Sequence, residues 1–168
     1  MPTPAEMNSR AAGLTMVVSA SDVLNVTPTL DTSIYADGDL LSDTQAIADA
    51  FRIPGGSAML QSVNVLDEDD QGVALDLIFL SANNSLGTIN SAPTVSDANA
   101  RDILGIVRVG AGDFIDLGGC RVATLSGLGL MMEAASASTT LYLATVTRGG
   151  TPTYTAAGLK LKLGLIWD

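Results

Sequence analysis

The run LKLKLGLIW near the C-terminus leaves this chain little choice of local structure. Leu159, Leu161, Leu163, Leu165 and Trp167 recur at every second position, with Lys160 and Lys162 between them. A helix would scatter those five apolar side chains around its circumference; an extended strand gathers them on one face. The lysines then point the other way, toward water or a partner. The strand is expected to be tied into a sheet, so that truncating it unfolds the domain.

A second stretch, Ser57 to Ser81, has the same period. Val73, Leu75, Leu77 and Phe79 share one face, and so do Met59, Val63 and Val65, with Gln61 breaking the pattern. Between them, Asp67 to Gly72 forms a polar reversal closed by a glycine that tolerates positive φ. The expectation is a hairpin joined by an acidic turn.

The rest of the chain repeats the theme at short intervals. Leu14, Met16 and Val18 alternate in a first strand, Ser21 to Thr32 is turn-rich around Pro28, and Ser33 to Leu41 is a short strand broken at Asp37-Gly38. Ala46 to Phe51 reads as a strand ended by Pro54-Gly55-Gly56. Asn83 to Val95 is a long polar loop of the kind that faces a partner. Ser96 to Leu104 is the one helix candidate, capped by Ser96, with Asp97 in its first turn and Gly105 as its stop. Ile106–Val109, Phe114–Leu117, Arg121–Leu125, Leu128–Glu133 and Thr139–Thr147 complete the strands. In the last of these both faces are apolar, so it is expected to be covered on both sides. Nine or ten short strands and one short helix predict an all-β fold, an antiparallel β-sandwich or jelly-roll-like barrel. Residues 1–10 read as a flexible arm and 11–168 as a single sandwich domain.

Charge and composition exclude whole classes of function. A net charge of −10, with no cluster among the 8 basic residues, argues against nucleic acid as a partner. No apolar run is long enough for a membrane helix. The absence of histidine removes the commonest general base and metal ligand. Cys120 is the only cysteine, which rules out an internal disulfide and a multi-cysteine metal site, and it reads as a small buried side chain.

The remaining candidates are weak. Asp67 to Gly72 imitates the start of a calcium loop, but the position requiring a bidentate glutamate is Ile78. Asp37 and Asp39 flank a glycine and fit an Asx-type turn better than a pair of facing catalytic carboxylates. Pro54–Ser57 and Arg148–Pro152 lack the strand–loop–helix setting of a phosphate cradle. Tyr35, Tyr142, Tyr154 and Trp167 could form a ligand platform, yet core and interface packing suits them better. No catalytic residue, cofactor or metal is expected.

The segments Ser33–Asp39, Gly55-Gly56 with Ser62–Asp67, Gln71–Phe79, Leu141-Tyr142, Arg148–Tyr154 and the closing LKLKLGLIWD resemble small virion proteins of tailed bacteriophages. The likeness runs over most of residues 33 to 168. It implies a non-enzymatic decoration or cement protein that is assembled in the host cytoplasm, binds the major capsid protein on the virion exterior and is often a homotrimer. The alternative is a receptor- or carbohydrate-binding module of a tail fibre or spike. On the cement reading, the expected capsid contacts are Met1, Pro2, Thr3 and Pro4 of the arm and Asn83, Asn84, Leu86 and Ile89 of the long loop.

Overall fold

Nine strands in two antiparallel sheets make up almost all the regular structure in the computed structural model, which describes residues 20–167. They are β1 (Ser21–Val26), β2 (Leu40–Ile47), β3 (Ser57–Asp67), β4 (Leu75–Leu80), β5 (Ile103–Val109), β6 (Phe114–Asp116), β7 (Arg121–Glu133), β8 (Leu141–Thr147) and β9 (Leu159–Trp167). One sheet has the order β1-β9-β3-β7-β6, the other β2-β8-β4-β5. The pairings β1 with β9, β2 with β8, β3 with β7 and β4 with β5 are nested. Eight strands therefore form one long hairpin rolled into two sheets, which is a jelly roll, and β6 extends one edge.

This wiring corrects the expected hairpin. β3 and β4 are consecutive but lie in different sheets, so Asp67 to Gly72 begins a crossover between layers. The break at Gln61 is a β-bulge. Ala58 and Leu60 point inward before it and Val63 and Val65 after it, all buried, while the register with β9 and β7 shifts between Leu60 and Ser62. The extra residue moves the inward phase by one, so Met59 faces outward rather than sharing a side with Val63. Opposite the bulge, β7 absorbs Gly127 and Gly129 at positive φ, and the two strands expected at 121–125 and 128–133 are one.

Other boundaries move for local reasons. The turn-rich reading of Ser21 to Thr32 missed β1, an edge strand that ends two residues before Pro28. The strand expected from Ser33 starts only at Leu40, because Ala36–Asp39 is a tight turn with Gly38 at φ 88. That expected over Ala46–Phe51 stops at Ile47, and Asp49 turns the chain at φ 55. The helix is a single turn, Asp97–Ala100, with Ser96 Oγ accepting from Asn99 N; Ile103 and Leu104 belong to β5 instead. The alternation at Leu14, Met16 and Val18 and the arm at 1–10 lie outside the described residues.

The core lies between the sheets. Leu159, Leu161, Leu163 and Leu165 of β9 interleave with Val63 and Val65 of β3 and with Leu75, Leu77, Phe79, Leu141 and Leu143 of the opposing sheet. β9 sits between β1 and β3, so its loss would leave β1 without a hydrogen-bonded neighbour. Leu163 is fully buried in the middle of that row. Leu163→Ala is expected to cost about 2–5 kcal/mol, read as the shift in a urea unfolding curve. A cost below about 1 kcal/mol would mean that the row does not set the stability of the sandwich.

Candidate interaction surface

The two sheets differ in what covers their outer faces. On the four-stranded sheet, Leu40, Ile78, Leu80, Ala144 and Val146 point away from the main core yet are buried, in a second small cluster with Leu86. The segment from Ser81 to Val95 closes this cluster. Asp43 fastens it by accepting from Leu86 N at 2.8 Å and from Ser85 Oγ at 2.6 Å. Asn84 donates to Asp102 at 2.6 Å, and Leu40 exchanges backbone hydrogen bonds with Ser91 and Asn90. Farther along the same face, Asp76 is buried and accepts from Arg148 Nε at 2.6 Å, with Arg108 Nε at 3.4 Å. A buried carboxylate is tolerated when charged donors meet it in this way.

The five-stranded sheet has no such cover among the described residues. Its outward side chains form rows across β1, β9, β3 and β7. The first row is Ser21, Ile166, Met59 and Met131, and the second is Val23, Gly164, Ser62 and Ser126. The third is Asn25, Lys162, Asn64 and Thr124; the fourth is Lys160, Leu66 and Val122, extended by Ile115 of β6. Val23, Met131 and Ile115 are 55%, 62% and 67% exposed, high values for large apolar side chains. These four rows hold no carboxylate, although the chain carries −10; Glu133, exposed and paired with Ser57 beyond the first row, puts one at the end of this face. The end rows are thus mostly apolar, the middle ones small or polar, and the charges within the four rows are two lysines. Lys160 is engaged locally, donating to Ala157 O at 2.7 Å beside Glu68. Lys162 has neither hydrogen bond nor ion pair among the described residues. A largely apolar face of this kind, poor in charge, marks an interaction surface.

The residues expected to make contacts divide. Met1, Pro2, Thr3 and Pro4 lie outside the described residues. Asn83 is exposed, Asn84 is half-buried and bonded, and Ile89 is half-buried against the main core. Leu86 is fully buried, a packing residue of its own fold rather than a side chain offered to a neighbour. The sequence placed Lys160 and Lys162 toward water or a partner; that β1, β3 and β7 extend this side into a broad face was not legible there. Tyr35 and Tyr154 are core residues in edge-to-face contact, centroids 6.3 Å apart, and Trp167 Nε1 donates to Ala50 O, so the four aromatics form no platform. Burial pushes the Tyr35 hydroxyl up to about 12. Cys120 is half-buried in the turn before β7, not inside a strand.

The acidic loop is a latch. Asp67 is fully buried and accepts from Gly72 N at 2.7 Å and Asp69 N at 3.1 Å. Asp69 accepts from Thr155 N at 2.8 Å, and Glu68 N donates to Gly158 O at 2.8 Å, which pins the β3–β4 crossover to the β8–β9 loop. A Cβ on Gly158 would collide with the Asp69 carboxylate. Among the described residues no group of three acidic or cysteine side chains could hold a metal ion. Burial raises the Asp67 carboxyl above its ordinary value, partly offset by the N–H groups of Gly72, Asp69 and Gln71. The folded chain therefore holds this proton more readily than the unfolded chain. The group's contribution to stability is full below the ordinary aspartate range and falls as pH rises through the raised value. Asp67→Ala is expected to destabilise by about 1–3 kcal/mol through its orphaned donors. Urea curves of parent and variant should draw together between about pH 3 and about pH 7; a gap that widens over that range would contradict the assignment.

No protein-family model matches the sequence, and no curated protein does. Solved structures resemble it weakly. Desmodium yellow mottle tymovirus is 11% identical with a TM-score of 0.30, over 89% of this chain and 81% of that one. Cocksfoot mottle virus is 9% identical with a TM-score of 0.35, over 89% and 95%. The K3 cleaved adhesin domain of Lys-gingipain from Porphyromonas gingivalis is 11% identical with a TM-score of 0.32, over 89% and 74%. At these scores the likenesses assign neither family nor function, and the jelly roll rests on the strand order itself.

Proposed function

We propose that this chain is a non-catalytic structural component of a virus particle, a head decoration protein of the tailed-bacteriophage kind. In this reading it binds the major capsid protein on the outside of the shell and bridges neighbouring subunits. The observation that carries it is the largely apolar outer face of the five-stranded sheet on a strongly acidic jelly roll, uncovered among the described residues and with Glu133 only at its end. Such a face gains by burial against protein and offers nothing to polarise or cleave a bond. The overall negative charge suits a position outside the shell, away from packaged nucleic acid.

The capsid contact is assigned to the arm at Met1, Pro2, Thr3 and Pro4 and to the exposed part of the 83–95 segment, with Asn83 at its start. Asn84 and Ile89 would take part only at the margin, since both are half-buried. Binding there is favoured by mass action on an assembled lattice. The purified chain should co-sediment with expanded capsids that lack decoration. Deleting residues 1–10 should weaken that binding by about tenfold or more, about 1.4 kcal/mol, with an unchanged circular dichroism spectrum. Absence of co-sedimentation, together with binding on a glycan array, would favour the carbohydrate-binding alternative.

A further inference from the structure

The edge of β1 is a template for one more strand. Among the described residues β1 has β9 on one side and no strand on the other. Trp167 N donates to Ala20 O at 2.8 Å, and the same register sets Asp22 opposite Leu165, Leu24 opposite Leu163 and Val26 opposite Leu161. Bonded pairs alternate along an antiparallel ladder, so these even-numbered residues serve β9. The N–H and C=O groups of Ser21, Val23 and Asn25 then point out of the sheet edge. Asp22 Oδ1 accepts from Val23 N at 2.7 Å, a cap on one of those donors that an added strand displaces. On the core side, Leu24 and Val26 border a groove of about 270 Å³, whose other wall is Gln45, Ala46, Ile47 and Ala48 at the edge of the second sheet.

We infer that residues 14–18 of a second copy pair antiparallel with this edge. Phase names the occupant. Leu14, Met16 and Val18 occupy the same even positions as Leu24 and Val26, the core-facing residues of β1. An added strand that bonds to Ser21, Val23 and Asn25 through its own odd residues sets even positions opposite even ones. Met16 then lies opposite Leu24 and Leu14 opposite Val26, and the apolar row continues over the groove. A return within one chain does not give this row. It must be complete before Ala20, which Trp167 already holds. A two-residue turn at Val18-Ser19 lacks the Gly, Asn or Asp that such a turn demands, and it sets Met16 opposite Ser21, on the wrong face. A longer turn takes Val17 and Val18 out of the strand and leaves Leu14 opposite Asp22. In the pair the strand runs straight from residue 14 to residue 26. One copy's segment on its neighbour's β1 therefore entails the reverse, and a two-fold axis at residue 20 closes the contact.

Sedimentation equilibrium of the full chain tests this without any capsid present, so the result does not depend on the decoration reading. The mass should rise from 17.2 kDa to twice that value as concentration increases. Val23→Pro removes an edge N–H and leaves the ladder with β9 whole. It and Met16→Asp should each raise the dissociation constant tenfold or more while the circular dichroism spectrum stays unchanged. Met16→Cys combined with Leu24→Cys, in a Cys120→Ser background, should oxidise to a covalent dimer, because opposed residues of a non-bonded pair come within disulfide reach. A monomer at every concentration, a trimer of the kind the family resemblance implies, or a dimer indifferent to both Val23→Pro and Met16→Asp would overturn the proposal. A disulfide closed inside one chain would overturn it too, by returning the segment to its own β1.

Discussion

A strand in a two-layer sandwich buries one face by construction, and the other only if something is laid over it. The rest of this structure depends on how that second face is treated. Where both faces are covered, the strand is apolar throughout: all six residues of β4 are buried, including Asp76, whose charge is met by two arginines. Where one face stays open, the strand alternates, as in Leu159-Lys160-Leu161-Lys162 of β9. The two patterns sort the strands into a sheet that carries its own cover and a sheet that has none among the described residues.

The rolled-hairpin wiring makes that difference consequential. Because β9 lies between β1 and β3, the most regular strand of the chain occupies the middle of the open sheet. The crossovers that carry the chain between layers run at the sheet ends, where the Asp67–Asp69 latch ties one of them to another loop. That latch spends its acids on backbone donors, which is why an acidic loop with a superficial likeness to an ion site is part of the framework. Loop fastening of this kind holds two sheets in register without any covalent staple.

Much of the fold was legible in the sequence because its signal is periodic. The alternation in β9, the double-sided apolarity of β8 and the interruption at Gln61 each had a direct structural counterpart: a half-open strand, a doubly covered strand and a bulge. Long-range choices were not legible. Whether β3 and β4 pair with each other or separate into two sheets depends on β7, β8 and β9, far along the chain, so neighbouring apolar runs suggested a hairpin that does not exist. β1 was hidden because Asp22 and Asn25 mimic turn chemistry and an edge strand needs only one apolar side. The role of the 81–95 segment was hidden for a similar reason. A single buried leucine, Leu86, in a polar run carries no period, yet it decides that this segment is a cover. The interaction surface itself appears only when residues from four strands are brought into rows.

Charge distribution is what separates this open face from an ordinary solvent-exposed one. A chain at −10 repels its copies at long range, but at physiological ionic strength that repulsion is screened beyond about 8 Å. Approach is then governed by what the surfaces carry locally. Much of the acid is held in turns: Asp31, Asp39, Asp69, Asp70, Asp113 and Asp116 all accept hydrogen bonds at loop or strand ends. The four rows of the five-stranded sheet carry none, and Glu133 stands at their end. A protein that needed only to stay dissolved would have no reason to clear acids from its flattest apolar face, since a single carboxylate there would keep other copies away. Keeping those rows clear while the rim stays acidic confines contact to one surface.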